Sequence, residues 1–262
     1  MRTWQEFQES KMEKICIIMR GLPGTGKSTT VRQLLVKYGG DFDHVFSTDA
    51  RYTPVSNKIR RLGQVSPDTI SLEQAIMLCE EIKKMWFGAK WSQKKDEAQP
   101  QFLEFKKLMD QGNYHGALEY AKASHELFEI VEYLARWDGA KIGGMHAANL
   151  GAFKQAVDMG MTPVIVDNTN TTPKEAAPYA LYAKEAGYEV KIQEPTSPHW
   201  LAHRDLLGDK YANKQKLDDF AKLLADKNVH GVPYETLQKM IARWQHNMNI
   251  SHLTDDEKKN VK

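Results

Sequence analysis

Between residues 21 and 29 the chain reads GLPGTGKST, and the pattern G-x-x-x-x-G-K-[ST] is met in full from Gly21 through Gly26 and Lys27 to Ser28. Glycines at 21, 24 and 26 let the backbone turn tightly and aim successive N–H groups into one concavity, which suits an anion. A helix starting near Lys27 adds the positive end of its dipole to that nest. The Lys27 ammonium would then reach the β and γ phosphates of ATP, the Ser28 hydroxyl would ligate Mg2+, and Thr25 and Thr29 would flank them. The other reading, a glycine-rich turn that binds nothing, requires neither the lysine nor the serine. A second chemical candidate stands in FSTDARY. Asp49 follows an apolar run, where the carboxyl end of a parallel strand opens onto a phosphate cleft. A carboxylate there can take the proton of a hydroxyl that attacks the γ-phosphate. A loop aspartate or a helix N-cap is the competing reading, and Asp49 alone does not decide between them.

The elements that must position these groups are legible from apolar periodicity. Strand-like runs occur at KICIIM (14–19), HVFS (44–47), TPVIVD (162–167) and YEVKIQ (188–193), separated by helical patterns. That alternation predicts an α/β fold with a parallel sheet and helices on its faces. One helix start reads as a capping box, with Thr172 as N-cap, Pro173 in the first turn and Glu175 as the reciprocal partner; Gly187 closes that helix. The expected nucleotide-binding domain comprises residues 1–52 and 146–262. Residues 53–145 read as a helical insertion, with Ser71 and Gln74 spaced as a capping box before AIMLCEEIKKMWF and one long amphipathic stretch, ALEYAKASHELFEIVEYLARW.

The insertion is polarised by charge. From Arg51 to Lys95 there are nine Lys/Arg against four Asp/Glu, and from Asp96 to Asp138 four against nine. Trp86 and Trp91 interleave with Lys83, Lys84, Lys90, Lys94 and Lys95, a pattern that can stack bases and pair phosphates. The same pattern fits a helix with core tryptophans and solvated lysines. Globally the chain is nearly neutral, at +2 over 262 residues, so any nucleic-acid contact must rest on local patches. The hydrophobic share of 41% and charged share of 27% are those of a globular domain. Cys16 and Cys79 have neither metal-ligand spacing nor a disulfide pattern, which suggests a reducing cytoplasm. No apolar run of about 18 residues and no N-terminal apolar segment predict a membrane span or signal peptide.

Taken together and in order, MRGLPGTGKST (19–29), FSTD (46–49), HAAN (146–149), PVIVDNTNT (163–171) and HGVP (230–233) resemble the polynucleotide-kinase-like P-loop kinases, within them the NEDD4-binding protein 2 type of kinase domain. The resemblance covers roughly half the chain and leaves the insertion outside. It implies a P-loop kinase fold, with Lys27 and Ser28 at the nucleotide and Mg2+ and Asp49 as general base for an acceptor 5′-hydroxyl of DNA or RNA. Asp167, Asn168, Thr169 and Asn170 would line the acceptor side after the third strand, and His146 and Asn149, one turn apart, would face the same cleft. The segment LLADKNVHGVP resembles the lid. Such lids tend to offer arginine, whereas this chain has Asp226 and Lys227, so the transferring phosphate would be clamped by Lys227 or by another cation such as Arg204. The family commonly follows the base with a second acid and then an arginine; here the order is Asp49, Ala50, Arg51, Tyr52, with Arg51 as the substitute. Three other readings stay open: a kinase of a hydroxymethylated base within phage-type DNA, a small-molecule kinase resembling chloramphenicol phosphotransferase or zeta-toxin enzymes, and a nucleotide-dependent switch without chemistry.

Overall fold

The computed structural model describes residues 13–61, 70–89, 93–228 and 230–248. Its contacts divide the chain into two units, Met1–Thr48 with Gly144–Lys262, and Asp49–Gly143.

The first unit is built on four parallel strands, β1 (Ile15–Met19), β2 (Val45–Phe46), β3 (Val164–Val166) and β4 (Glu189–Gln193), in the order β2-β3-β1-β4. Ile17 pairs with Ile165 on one side and with Lys191 on the other. All five residues of β1 are buried, which explains its unbroken ICIIM run: a strand covered on both faces has no solvent side for polar residues. The pleat sends Cys16 and Ile18 into one cluster, with Phe153, Tyr179 and Ala180 of the helices Ile142–Asp158 and Pro173–Glu185. It sends Ile15, Ile17 and Met19 into another, with Val31, Leu34 and Leu35 of the helix Lys27–Tyr38. Each such large side chain contributes about 1.5–3 kcal/mol of burial. β1 lies between β3 and β4, so the chain's crossovers change side beside it, and in open sheets of this kind ligands bind outside the carboxyl ends of the strands at such a point.

The helix Pro173–Glu185 differs in one detail from its expected cap. Thr172 is the N-cap residue but its side chain makes no capping bond, and Glu175 reaches past it to accept from the Thr171 amide at 2.7 Å and hydroxyl at 3.0 Å. Pro173 at the first helical position supplies no amide to cap, and the carboxylate satisfies the buried Thr171 instead. The exit is as expected, with Gly187 at φ +82°.

The second unit is helical. Its core gathers Val55, Ile59, Cys79, Ile82, Trp86, Phe102, Phe105, Leu118, Phe128 and Val131. The Ser71–Gln74 box forms as the sequence predicts at the start of the helix Leu72–Gly88. The long amphipathic stretch is two helices, Tyr114–Ala123 and His125–Arg136, broken at Ser124. Trp86 is 6% exposed and stacks on Phe102, with ring centroids 4.2 Å apart, so it is a core residue and offers no face to a base. Lys95 donates to the Ala89 carbonyl at 2.6 Å. Lys90 and Trp91 lie outside the described residues.

Candidate phosphate-binding site

The loop from Arg20 to Gly26 joins β1 to the helix Lys27–Tyr38. Gly24 and Gly26 adopt φ of +81° and +88°, where a Cβ is disfavoured and glycine is not. Gly26 is the N-cap; no side chain caps this helix and its first turn holds no acid. No carboxylate of the first turn therefore competes for its first amides, an arrangement that suits an anion such as a nucleotide's phosphates. The Thr25 hydroxyl donates to the Leu22 carbonyl at 2.6 Å, and the Lys27 ammonium folds back to the same carbonyl at 3.2 Å. Ser28 and Thr29 stand exposed on the first helical turn.

Three neighbouring segments of the first unit hold this loop. From beyond β3, the Thr169 carbonyl accepts from the Gly21 amide at 3.0 Å. From beyond β4, Pro195 sits so close that a Cβ on Gly21 would lie 2.8 Å from its Cγ, and the Ser197 hydroxyl donates to the Thr25 carbonyl at 2.8 Å. His199 Nε2 lies 3.0 Å from the Gly24 carbonyl, as its donor. The last turn of the helix Lys214–Lys227 closes the third side: a Cβ on Gly24 would meet the Leu224 carbonyl oxygen at 2.8 Å and the Asn228 amide nitrogen at 3.2 Å. Lys227 ends that helix and is exposed. The segment read as a lid thus abuts the phosphate loop through its backbone, with a lysine at its end.

The residues expected on the acceptor side fall into two groups. The Asp167 amide donates to the Phe46 carbonyl at 2.9 Å, Asn168 Oδ1 accepts from the Thr48 amide at 3.0 Å, and His146 Nδ1 lies 3.1 Å from the Thr48 hydroxyl. Asn168 and Asn149 both donate to the Tyr179 hydroxyl, at 3.4 and 3.1 Å. His146, Asn168 and Thr48 are therefore brought together, and His146 is exposed. Asn149 is fully buried and its amide serves the fold, because one helical turn from His146 points under Tyr179. Asn170 also departs from expectation. It is 2% exposed at φ +46°, and its amide donates to the Met19 carbonyl at 2.8 Å, fixing the end of β1.

Asp49 and Arg51 belong to the second unit, in a 3₁₀ turn, Asp49–Tyr52. Asp49 is exposed and Arg51 half-buried. The Asp49 carboxylate accepts from the Tyr133 hydroxyl at 3.5 Å. Arg204, the alternative clamp, is paired with Glu194 at 3.4 Å and with Asp205 at 3.6 Å.

Arg20 was not among the expected site residues. It is 2% exposed, lies 3.7 Å over the Trp244 ring and pairs with Glu194 at 3.3 Å. It also donates to the carbonyls of Asn170, Thr171, Gln245 and His246. Burial lowers its pKa to about 10 against the opposing pull of Glu194, so it remains a cation at neutral pH. One side chain thereby ties the end of β1 to the β3 loop, to β4 and to residues 244–246, directly before the phosphate loop. The signal in the sequence was a charged residue ending an otherwise apolar strand.

A parallel sheet whose switch point carries an uncapped, glycine-shaped anion nest with lysine and serine defines a P-loop nucleotide-binding domain. The profile of the AAA domain family matches residues 16–223, and the chain belongs to that family, as a kinase-like P-loop domain. NEDD4-binding protein 2 of Homo sapiens is 27% identical over 115 residues, covering 44% of this chain and 6% of that relative's length. No solved structure matches.

Proposed function

We propose that this chain transfers the γ-phosphate of ATP, with Mg2+, to a hydroxyl group, the 5′-hydroxyl of a polynucleotide being the favoured acceptor. The observation that carries the reading is the nest at Gly24–Ser28: left-handed glycines, a helix end that no side chain caps, and Lys27 at its rim. Lys27 would neutralise the β and γ phosphates, Ser28 would hold Mg2+, and Lys227, at the end of the helix against Gly24, would meet charge on the transferring group. As a point charge it cannot make the two-pronged contact of an arginine. The acceptor oxygen bonds to the γ-phosphorus, the bond from that phosphorus to the β–γ bridging oxygen breaks with its electron pair leaving on ADP, and the acceptor proton passes to the Asp49 carboxylate. Asp49 is exposed, and the residue before it, Thr48, is bonded to Asn168 and His146. A polynucleotide acceptor is supported by the ordered motif blocks and by the basic half of residues 51–95, of which Lys84 is exposed.

The test is incubation with γ-labelled ATP and a panel of 5′-hydroxyl oligonucleotides, hydroxymethyl-base duplexes and small alcohols. Label on the oligonucleotide ends is expected; label confined to either other class reassigns the acceptor, and no label with retained ATP binding returns the chain to a switch. Asp49→Asn should lower transfer by about 10²- to 10⁴-fold with ATP affinity nearly unchanged.

A further inference from the structure

The helical unit carries two adjacent side chains that grip the segment beginning at Asp49. On the helix His125–Arg136, Glu132 is fully buried. Its carboxylate accepts from the Val55 amide at 3.0 Å, the Ser56 amide at 2.8 Å and the Ser56 hydroxyl at 2.8 Å. Arg136 pairs with it at 2.9 Å from the next turn. A carboxylate so placed satisfies the first amides of the helix Pro54–Arg61 and fixes where that helix starts. The next residue, Tyr133, is 6% exposed and directs its hydroxyl at Asp49 Oδ1, 3.5 Å away. Its ring meets Tyr52 edge to face, centroids 5.6 Å apart. Tyr52 cannot compete for Asp49 through its own hydroxyl, which donates to the Asp138 carbonyl at 3.3 Å. Burial, with Asp49 and Tyr52 nearby, pushes the Tyr133 phenol well above its ordinary range, so the group is a proton donor at every working pH.

We propose that Tyr133 is the positioning residue of Asp49: its buried hydroxyl donates to the carboxylate that takes the acceptor's proton, and Glu132 anchors the other end of the same segment. The inference rests on the reading of Asp49 as general base. A 3.5 Å contact is long, and hydrogen bonds of this kind tighten when the reacting complex forms. The donor selects one carboxylate rotamer and leaves Oδ2 for the acceptor hydroxyl. The helical unit then serves the chemistry directly, by holding the base.

Tyr133→Phe keeps the ring against Tyr52 and removes only the hydroxyl. With γ-labelled ATP and the 5′-hydroxyl oligonucleotide, kcat should fall roughly ten- to hundredfold, the range of a hydrogen bond to a charged group, while the KM for ATP stays within about twofold. In an Asp49→Asn background the same substitution should cost less than about twofold, because the pair acts as one unit. Tyr52→Phe, which loses a bond to a carbonyl away from the carboxylate, should leave kcat within about twofold. A readout independent of turnover is the 13Cζ resonance of Tyr133 in tyrosine-labelled protein, which should move when Asp49 becomes asparagine. An equal fractional loss of kcat in both backgrounds, or an unmoved resonance, overturns the proposal. If Asp49→Asn transfers at the wild-type rate the base reading itself falls; if that variant is impaired and Tyr133→Phe is not, only the role of Tyr133 falls.

Discussion

Replacing Gly24 by alanine should disturb the phosphate site through two separable effects, and Gly26 supplies the control. Both residues hold a positive φ, so a Cβ at either costs roughly 1–2 kcal/mol in backbone strain. At Gly26 that is nearly the whole cost, since the nearest atom to the added carbon is Ser197 Cβ at 3.5 Å, an ordinary contact. At Gly24 the added carbon meets the Leu224 carbonyl oxygen at 2.8 Å and the Asn228 nitrogen at 3.2 Å, both backbone atoms that no side-chain rotation can clear. Overpacking of that kind adds about 1–3 kcal/mol. Urea unfolding of nucleotide-free protein should therefore place Gly26→Ala about 1–2 kcal/mol below wild type and Gly24→Ala about 2–5 kcal/mol below. Calorimetric titration should show the matching order in ATP affinity, because the helix Lys214–Lys227 must back away from the loop in Gly24→Ala and take Lys227 with it. Equal losses for the two variants would refute the close packing of that helix on the loop. A Gly24→Ala protein of wild-type stability would also refute the left-handed backbone.

Lys27→Ala should abolish phosphate transfer more completely than ATP binding, since the backbone nest survives the change; unchanged turnover would remove the nucleotide from this loop. Replacing Lys83 and Lys84 by glutamate should weaken oligonucleotide binding and flatten its dependence on salt, and binding indifferent to salt in the wild type would argue against a polynucleotide on this face. The pair Lys83–Glu80 at 3.1 Å is a surface contact worth at most about 1 kcal/mol, so it does not withhold Lys83 from a phosphate. Burial pushes the Cys16 and Cys79 thiols from 9.0 up to about 12, so both should resist iodoacetamide at pH 8.5 until the chain unfolds. Because the folded pKa values exceed the unfolded one, these thiols contribute stability that is intact below about pH 9 and lost as pH rises toward about 12, which alkaline melting curves read directly.

The two central strands were legible because burial on both faces leaves a plain signature: ICIIM and VIV admit no polar residue, whereas the edge strand Glu189–Gln193 does. The phosphate loop was legible because each of its parts is a residue type chosen by backbone geometry or charge. What sequence spacing could not convey is the direction of a buried amide. His146 and Asn149 are one turn apart, yet one is exposed beside Thr48 and the other lies beneath Tyr179, and Asn170 looks like a ligand in DNTNT but braces β1. The break at Ser124 escaped for a related reason. A serine between two stretches of the same apolar period leaves that period intact, and the interruption is visible only in the backbone, at ψ 17°. Arg20 escaped because its partners, from Asn170 to His246, are distant in sequence and converge only in the folded sheet.

The helical unit reads differently once its side chains are located. Its tryptophan between the lysines was a candidate for stacking on bases, but Trp86 lies flat against Phe102 in the core and Lys95 is bonded to the carbonyl of Ala89. The exposed Lys84 and the half-buried Lys83 on the helix Leu72–Gly88 still leave a surface for phosphate, so a strand contact there rests on charge without stacking. Glu132 and Tyr133, by contrast, are buried polar groups in a helix whose neighbours are Phe128 and Val131 of the core, and a buried carboxylate is tolerated only where several donors meet it. Those donors come from Val55 and Ser56, at the end of the short segment that starts with Asp49. On the proposal above, a core arranged about that segment does what a minimal loop cannot: the buried Tyr133 hydroxyl holds the exposed Asp49 carboxylate in one orientation. Loosening the core away from the segment, for instance by Phe105→Ala at a fully buried position, should therefore lower kcat with the nucleotide affinity retained, whereas a unit that only grips a strand would lose oligonucleotide KM first.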